Sequence, residues 1–304
     1  MKPPVIGSTA STHPAAAPKT NRPKDYGRIW TIGPVLIWMV ALFLLPLVLV
    51  LAVSFFSRSS FGGINLPLTL ENYIRFFDPL YFKILWVSCV LAFFTTASCL
   101  VFGYPFAYII ARSPAKYRNI LMLLIIIPFW TNSLIRTYAW IVLLRTEGVI
   151  NTLLLKMGLI DQPLSLLYNE TAVLIGLVYT MLPFMVLPLY ASIEKLDRSL
   201  LEAARDLGAK PWQTFCRVTL PLTAPGILAG SLLVFIPSLG LFFIPDLMGG
   251  SKTVLIGNLI KNQFLTARDW PFGAASSIIL MVLTLLFILG YILVTKDKQG
   301  KELL

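Results

Sequence analysis

Histidine is almost missing from this chain of 304 residues; His13 is the only one. It sits in a Pro/Ala/Ser/Thr-rich stretch with no Cys or acidic neighbour to complete a metal site. Cysteine is nearly as scarce, with three residues. Cys89 and Cys99 fall on one predicted helix, roughly 15 Å apart along its axis and beyond disulfide reach. Cys216 is expected on the face away from any oxidising compartment, so no disulfide framework exists. Charge is thin as well: 13% of residues, against about 25% in a soluble domain. No Ser/His/Asp set, Cys/His pair or paired-carboxylate centre can be assembled, which leaves no sequence case for bond-breaking chemistry.

What the chain has is apolar length. Hydrophobic residues make up 57% and the mean hydropathy is +0.79. Runs of about twenty apolar residues recur, the mark of membrane helices. They predict an all-α, polytopic membrane protein with six spans near 29–56, 84–111, 119–144, 171–193, 223–247 and 274–295. Residues 1–27 are polar and proline-rich and read as a disordered tail. Residues 28–296 read as the membrane domain, and 297–304 as a short tail. Basic residues before the first run raise the possibility of a signal peptide cut near Ala52-Val53-Ser54. The run is far longer than a signal core, which favours an uncleaved span.

The net charge is +11. Nucleic-acid binding is one reading of that excess; membrane orientation is the better one. The termini, 112–118 and 194–222 together hold sixteen Lys and Arg, and the opposite loops (57–83, 145–170 and 248–273) hold eight. That bias puts both termini and the 194–222 loop in the cytoplasm. The remaining cation, Arg136, lies inside a span.

The spans are not uniform. Pro183 and Pro188 interrupt the fourth, and Pro237, Gly240 and Pro245 interrupt the fifth. Such breaks are either packing kinks or openings onto a cavity. Gly226 and Gly230 form a GxxxG pair that permits close helix approach. The third span carries Pro128-Phe129-Trp130-Thr131-Asn132-Ser133-Leu134-Ile135-Arg136-Thr137-Tyr138, a polar patch with a cation, which marks a functional site by default. Asp246, near the outer end of span five, is the one acid expected inside a span and the expected partner of Arg136 or of a cationic substrate. Tyr138, Tyr179, Trp130 and Trp270 are candidate cation–π faces, although interfacial aromatic belts explain such residues too. Trp130, Thr131, Asn132, Ser133, Arg136, Tyr138, Tyr179 and Asp246 are therefore the candidate substrate path or gate.

The 194–222 loop is unusually structured. Ser199 and Glu202 have capping-box spacing, Leu200, Leu201, Ala204 and Leu207 give a short apolar face, Gly208 suits a left-handed helix end, and Pro211 suits the first turn of the next helix. Local capping accounts for each residue, but not for why such a loop joins two membrane helices; docking of a partner does. Gly249-Gly250-Ser251-Lys252-Thr253 superficially looks like a phosphate loop, but it fails the pattern and no strand leads into it.

Glu202-Ala203-Ala204-Arg205-Asp206-Leu207-Gly208, followed by Val218-Thr219-Leu220-Pro221, resembles the EAA loop of ABC-importer permeases. Val218 stands where that family usually has Ile. Further blocks narrow the likeness: Leu70-Glu71-Asn72-Tyr73, Asp78-Pro79-Leu80-Tyr81-Phe82, the Pro128–Arg136 stretch, Ser192-Ile193-Glu194-Lys195-Leu196-Asp197, Asp246-Leu247-Met248-Gly249-Gly250 and Arg268-Asp269-Trp270-Pro271-Phe272-Gly273. Over about 30–295 the chain resembles permease subunits of spermidine/putrescine ABC importers. The resemblance implies a type I importer permease fold in a bacterial inner membrane. It also implies a second permease, an ATPase homodimer that uses ATP and Mg, and a periplasmic binding protein. No cofactor would be bound by this chain. Glu202, Ala203, Ala204, Arg205, Asp206, Gly208, Leu220 and Pro221 would then couple it to the ATPase. A permease for another small organic solute and an ion-coupled carrier are the alternatives; the carrier leaves the structured loop unexplained.

The charge split makes a testable statement about topology. Reporter fusions at the C-terminus and at residue 260 are expected to report opposite sides of the membrane. Two fusions on one side would show that the span count is wrong.

Overall fold

Apolar segments in lipid must satisfy their own backbone groups, and helices do so. The computed structural model describes residues 26–59, 62–250 and 253–301. The expected tail over 1–27, with His13, lies outside these residues, except that Tyr26 and Gly27 open the first helix. Ser251, Lys252 and 302–304 lie outside them too.

Helix α1 (Tyr26–Ser54) contains Pro34 and Pro46 and exposes large apolar side chains from Val35 to Leu49. Its part before Val50 is a unit of its own. An unforeseen antiparallel hairpin follows, β1 (Phe56–Arg58) with β2 (Ile64–Leu68). Asn72 of the short helix α2 (Glu71–Phe76) ties this region together by donating to the carbonyls of Ser54 and Phe56. Asp78 then caps α3 (Pro79–Arg112) by accepting from the Leu80 N–H at 2.9 Å.

The third expected span is not one helix. It divides into α4 (Ala115–Ile126), a tight turn over Ile127–Trp130, and α5 (Ser133–Leu144). Pro128 is the cause: it has no N–H to offer the carbonyl four residues back. After α6 (Val149–Lys156) comes α7 (Glu170–Glu194). It runs unbroken through Pro183 and Pro188, contrary to the expected interruption.

The loop forms α8 (Arg198–Asp206), α9 (Pro211–Thr214), a wide turn over Phe215–Thr219 and α10 (Leu220–Leu222). Helix α11 (Ala224–Gly240) then ends where the sequence expected a break, before a second wide turn at Pro245–Gly249. Helix α12 (Ile256–Leu265), also unforeseen, precedes α13 (Trp270–Lys301), which continues past the expected boundary at 296. Five segments among the described residues are long and apolar enough to cross a membrane, and a sixth arises if Pro211–Leu222 and Ala224–Gly240, bent by 66°, form one span. The third of these is Ser133–Lys156 rather than 119–144.

Helices α3, α7 and α11 pack on one another at the centre. Cys99, Ala107 and Ile110 meet Met185, Leu189 and Ile193 there, with Val234 closing the cluster. A second cluster joins Leu91, Leu144, Leu177, Ile244 and Met248 toward the opposite end of the bundle. Small residues set the spacing. A methyl group on Gly226 would lie 2.8 Å from the Pro188 carbonyl oxygen and also strike Ser192, and one on Gly230 would lie 2.8 Å from the Met185 sulfur. The GxxxG pair is therefore the seam between α11 and α7.

Gly226→Ala is expected to destabilise that seam by about 1–3 kcal/mol through overpacking. Gly290→Ala, where nothing lies within 4 Å, serves as the neutral comparison. Thermal unfolding in detergent reads the difference; equal midpoints would show that the seam yields.

Candidate functional site

The 194–222 loop is built from its caps. Asp197, not Ser199, starts α8: its carboxylate accepts the Ser199 N–H at 2.9 Å. The expected Ser199–Glu202 capping box is thus replaced by a cap two residues earlier, which leaves Glu202 exposed. The backbone N–H of Ser199 holds the Asp197 carboxyl below its ordinary range. A lowered carboxyl stabilises the fold above its unfolded value, and that help is lost as pH falls through the folded value.

At the far end of α8, the Gly208 N–H reaches the Arg205 carbonyl at 2.8 Å and the Ala209 N–H reaches that of Ala204 at 3.0 Å. Gly208 has φ +80°, as the left-handed reading required. Pro211 opens α9, and the Gln213 side chain accepts the Lys210 N–H at 2.9 Å.

The expected apolar face of α8 is mostly turned outward. Leu201 alone is buried, whereas Leu207 is 89% exposed and Trp212, on α9, 72% exposed. Glu202, Ala203, Arg205, Asp206, Gly208, Leu220 and Pro221 are exposed and Ala204 is half-buried. The coupling candidates on α8 and at its end thus form an exposed helical surface with Leu207 and Trp212 beside it, while Leu220 and Pro221 lie on α10. Behind that surface, Trp212 stacks on Phe215 and Phe215 meets Tyr104 of α3 edge-on at 5.4 Å. The Tyr104 hydroxyl lies 3.0 Å from that of Thr223, at the bend into α11.

The second candidate region surrounds the break before α5. The Thr131 hydroxyl donates to the Pro128 carbonyl at 2.7 Å, and Asn132 accepts the Leu134 N–H at 2.9 Å. These two side chains replace backbone partners lost at the break. Trp130, Thr131, Asn132 and Tyr138 are exposed, and Ser133 is half-buried.

Arg136 lies on aromatic faces, 5.6 Å from the Phe129 ring centre and 5.8 Å from that of Tyr179. Its Nε is buried without a hydrogen-bond partner. Tyr179 in turn meets Trp140 edge-on at 5.6 Å. Of the expected cation–π faces, Tyr179 is used by Arg136; Trp270 instead meets Phe264.

The expected Arg136–Asp246 pair does not form. Asp246 pairs with Lys261 of α12 and accepts from the Asn258 amide, which also donates to the Phe242 carbonyl at 2.8 Å. The physical reason is the unforeseen α12: it brings a cation and an amide to the carboxylate, and no local period of the sequence announces that. A further carboxylate was quoted only as part of a motif. Asp269 is fully buried; it accepts from Arg75 at 2.8 Å, lies 3.9 Å from Arg58 and takes the Phe272 N–H at the start of α13. The Arg75 guanidinium lies 4.2 Å over the Phe272 ring. The Arg268–Gly273 block is therefore a clamp between the 57–83 and 248–273 loops.

A double-mutant cycle separates the two readings of Asp246. Removal of Asp246 and Lys261 is expected to show coupling of about 1 kcal/mol, the range for a half-exposed pair, while Asp246 and Arg136 show none. Coupling between Asp246 and Arg136 instead would restore the rejected pair.

Comparison with known proteins follows the same lines. Residues 103–296 match the family model described as "Binding-protein-dependent transport system inner membrane component". The chain is 54% identical over 254 residues to the spermidine/putrescine transport system permease protein PotB of Salmonella typhimurium (strain SL1344), covering 84% of this chain and 88% of that one. It is 53% identical over 254 residues to PotB of Escherichia coli (strain K12), covering 84% and 92%. Among solved structures, a chain of the bacterial alginate ABC transporter, in complex with alginate pentasaccharide-bound periplasmic protein, shares the fold with TM-score 0.69 at 20% identity over 88% of this chain and 94% of that one.

Proposed function

The chain belongs to the family of binding-protein-dependent transport system inner membrane components, and from that premise we infer that it is the transmembrane permease subunit of an ABC importer for polyamines, spermidine and putrescine. It has the type I importer permease fold and is a transport subunit rather than an enzyme. The observation that carries the substrate class is the 54% identity over most of the chain to a spermidine/putrescine permease. Uptake of labelled putrescine and spermidine in a deletion strain carrying this gene tests it; restored uptake of neither would remove the polyamine assignment.

The finer reading is mechanical. In this proposal the chain lies in a bacterial inner membrane with both termini cytoplasmic. It is half of the pathway and pairs with a second permease. A periplasmic binding protein delivers substrate, and an ATPase homodimer below uses ATP and Mg; this chain binds no cofactor. Helix α8 seats in the ATPase. Its exposed Leu207 and the neighbouring Trp212 support this, because large apolar side chains on a polar loop lose their contact with water when a partner covers them. Trp130, Thr131, Asn132, Ser133, Arg136, Tyr138 and Tyr179 form the path or gate.

Asp246, the one acid among the candidate path residues, is already engaged by Lys261. A polyamine therefore meets no free carboxylate there among the described residues. Weak contact suits passage, since a tight site would hold the cation, and selection falls to the binding protein and the second permease.

The turn after α8 gives the test of coupling. A side chain at Gly208 meets no neighbour within 4 Å, so the cost of substitution is its backbone alone. Gly208→Val is expected to cost about 1–2 kcal/mol in the left-handed conformation and to reorient α9. ATPase co-purification and uptake should both fall strongly. Gly208→Asn, which tolerates that conformation, should retain most of both. Normal ATPase recovery and uptake with Gly208→Val would reduce the loop to a well-capped connector.

A further inference from the structure

At the α8-facing end of α3 lies a small pocket of about 200 Å³ walled by Tyr108, Arg112, Arg198, Leu201, Glu202 and Arg205. Its lining holds three arginines and one glutamate. Arg112 is the last residue of α3. Its Nε and Nη2 are buried and have no hydrogen-bond partner, and its guanidinium lies 5.5 Å from the Tyr108 ring centre. Arg198 and Arg205 are exposed. Among the described residues none of the three arginines enters an ion pair.

Arginines that only set membrane orientation reach toward water. Arg112 does the opposite with two of its donors. Burying guanidinium N–H groups without acceptors is costly, and the cost is removed when an anion enters. The planar fork of Arg suits a tetrahedral or planar oxyanion, phosphate above all.

The depth of the pocket selects the source. Tyr108 is one turn inside α3, Arg112 ends it, and α8 lies beyond. With Pro79–Arg112 as a span, the proposed topology sets that end at the level of lipid headgroups, where basic pockets at the cytoplasmic face take anionic lipids. We propose that this pocket binds the headgroup phosphate of an anionic phospholipid of the cytoplasmic leaflet, so that one lipid ties the end of α3 to α8. The proposal rests on the cytoplasmic placement of α8 given above. An occupied pocket gives the buried Arg112 donors an acceptor, lowers the net positive charge of the cluster and fixes the face of α8 that carries Leu201. Glu202 and Arg205 of the coupling set lie on that face, and Ala203, Asp206 and Leu207 remain open to a partner.

Native mass spectrometry of the purified permease–ATPase complex tests this, with phosphatidylglycerol, phosphatidylcholine and inorganic phosphate as probes. The wild type is expected to retain phosphatidylglycerol in preference to phosphatidylcholine. Arg112→Gln should lower that retention about tenfold, the scale of one lost charge-assisted contact. Arg112→Lys should restore part of it, and Arg217→Gln, elsewhere on the same loop, should change nothing. If Arg112→Gln does not assemble, Arg198→Gln combined with Arg205→Gln gives the same reading from exposed positions. Equal retention in the wild type and these variants overturns the proposal. Displacement of the lipid by inorganic phosphate also overturns it and assigns the pocket to a free anion. Release of the lipid when the ATPase binds does so as well and assigns the pocket to a partner carboxylate. Reporter fusions that place α8 outside would overturn the topology and with it the choice of leaflet, whereas loss of retention in detergent, which does not depend on sidedness, overturns the lipid site itself.

Discussion

Inside a bilayer no water receives a freed N–H or carbonyl, and this constraint decides where the chain is allowed to break. Each interruption is closed by a short polar side chain. Thr131 and Asn132 close the gap before α5. Thr223 braces the bend before α11: its hydroxyl donates to the Thr219 carbonyl at 2.8 Å, beside its own backbone N–H at 3.0 Å. Asn258 closes the end of α11 by donating to Phe242. Ser88 accepts the first N–H of α12 at 2.8 Å. Asn151 reaches the carbonyls of Thr146 and Leu164 around the loop after α5. Polar residues in these spans thus serve the backbone first, and only those left over can face a substrate.

That ordering separates the two charged residues once expected to pair. Asp246 is absorbed into the α12 network, where Asn258 and Lys261 use both of its oxygens. Arg136 is held by rings, with one donor still unpartnered. A cation resting on aromatic faces is retained without a counter-charge, because each ring face presents negative potential. The same surface would repel a polyamine through Arg136 and attract it through the rings. It is therefore better suited to gating than to holding.

How much of this the sequence disclosed depends on range. Long apolar runs located α3, α7 and α13 to within a few residues, because hydropathy over twenty residues is a local property. Gly208 and Pro211 disclosed the turn after α8 for the same reason: backbone preference needs no partner. Prolines misled where tertiary packing overrides them. Pro183 is buried against neighbouring helices and α7 continues through it, whereas at Pro128 the span breaks and Asn132 caps its restart as α5. Capping was misassigned by two residues, since Asp197 and Ser199 both qualify by type. The Asp246–Lys261 pair and the Arg75–Asp269 clamp were invisible, because each joins residues by way of a fold rather than a period. The family resemblance had singled out Asp246 and Asp269 as landmarks without saying what either touches.

The bend before α11 connects the constraint to the proposed mechanism. The α9–α10 segment meets α11 at 66°, and the joint contains Thr223, fully buried and bonded to Tyr104 of α3. Tyr104 packs on Phe215, and Phe215 on the exposed Trp212. A pull on the α8–α9 surface therefore bears on a joint whose two sides are both packed, one on α3 and one, through Gly226 and Gly230, on α7. Close packing of this kind resists small deformations and moves as a unit. A joint that could flex freely would absorb the pull. One held by a buried hydroxyl pair and two glycine contacts would pass it on to α3, α7 and α11 together, and in the proposed mechanism these are the helices whose relative tilt opens or closes a path beside them.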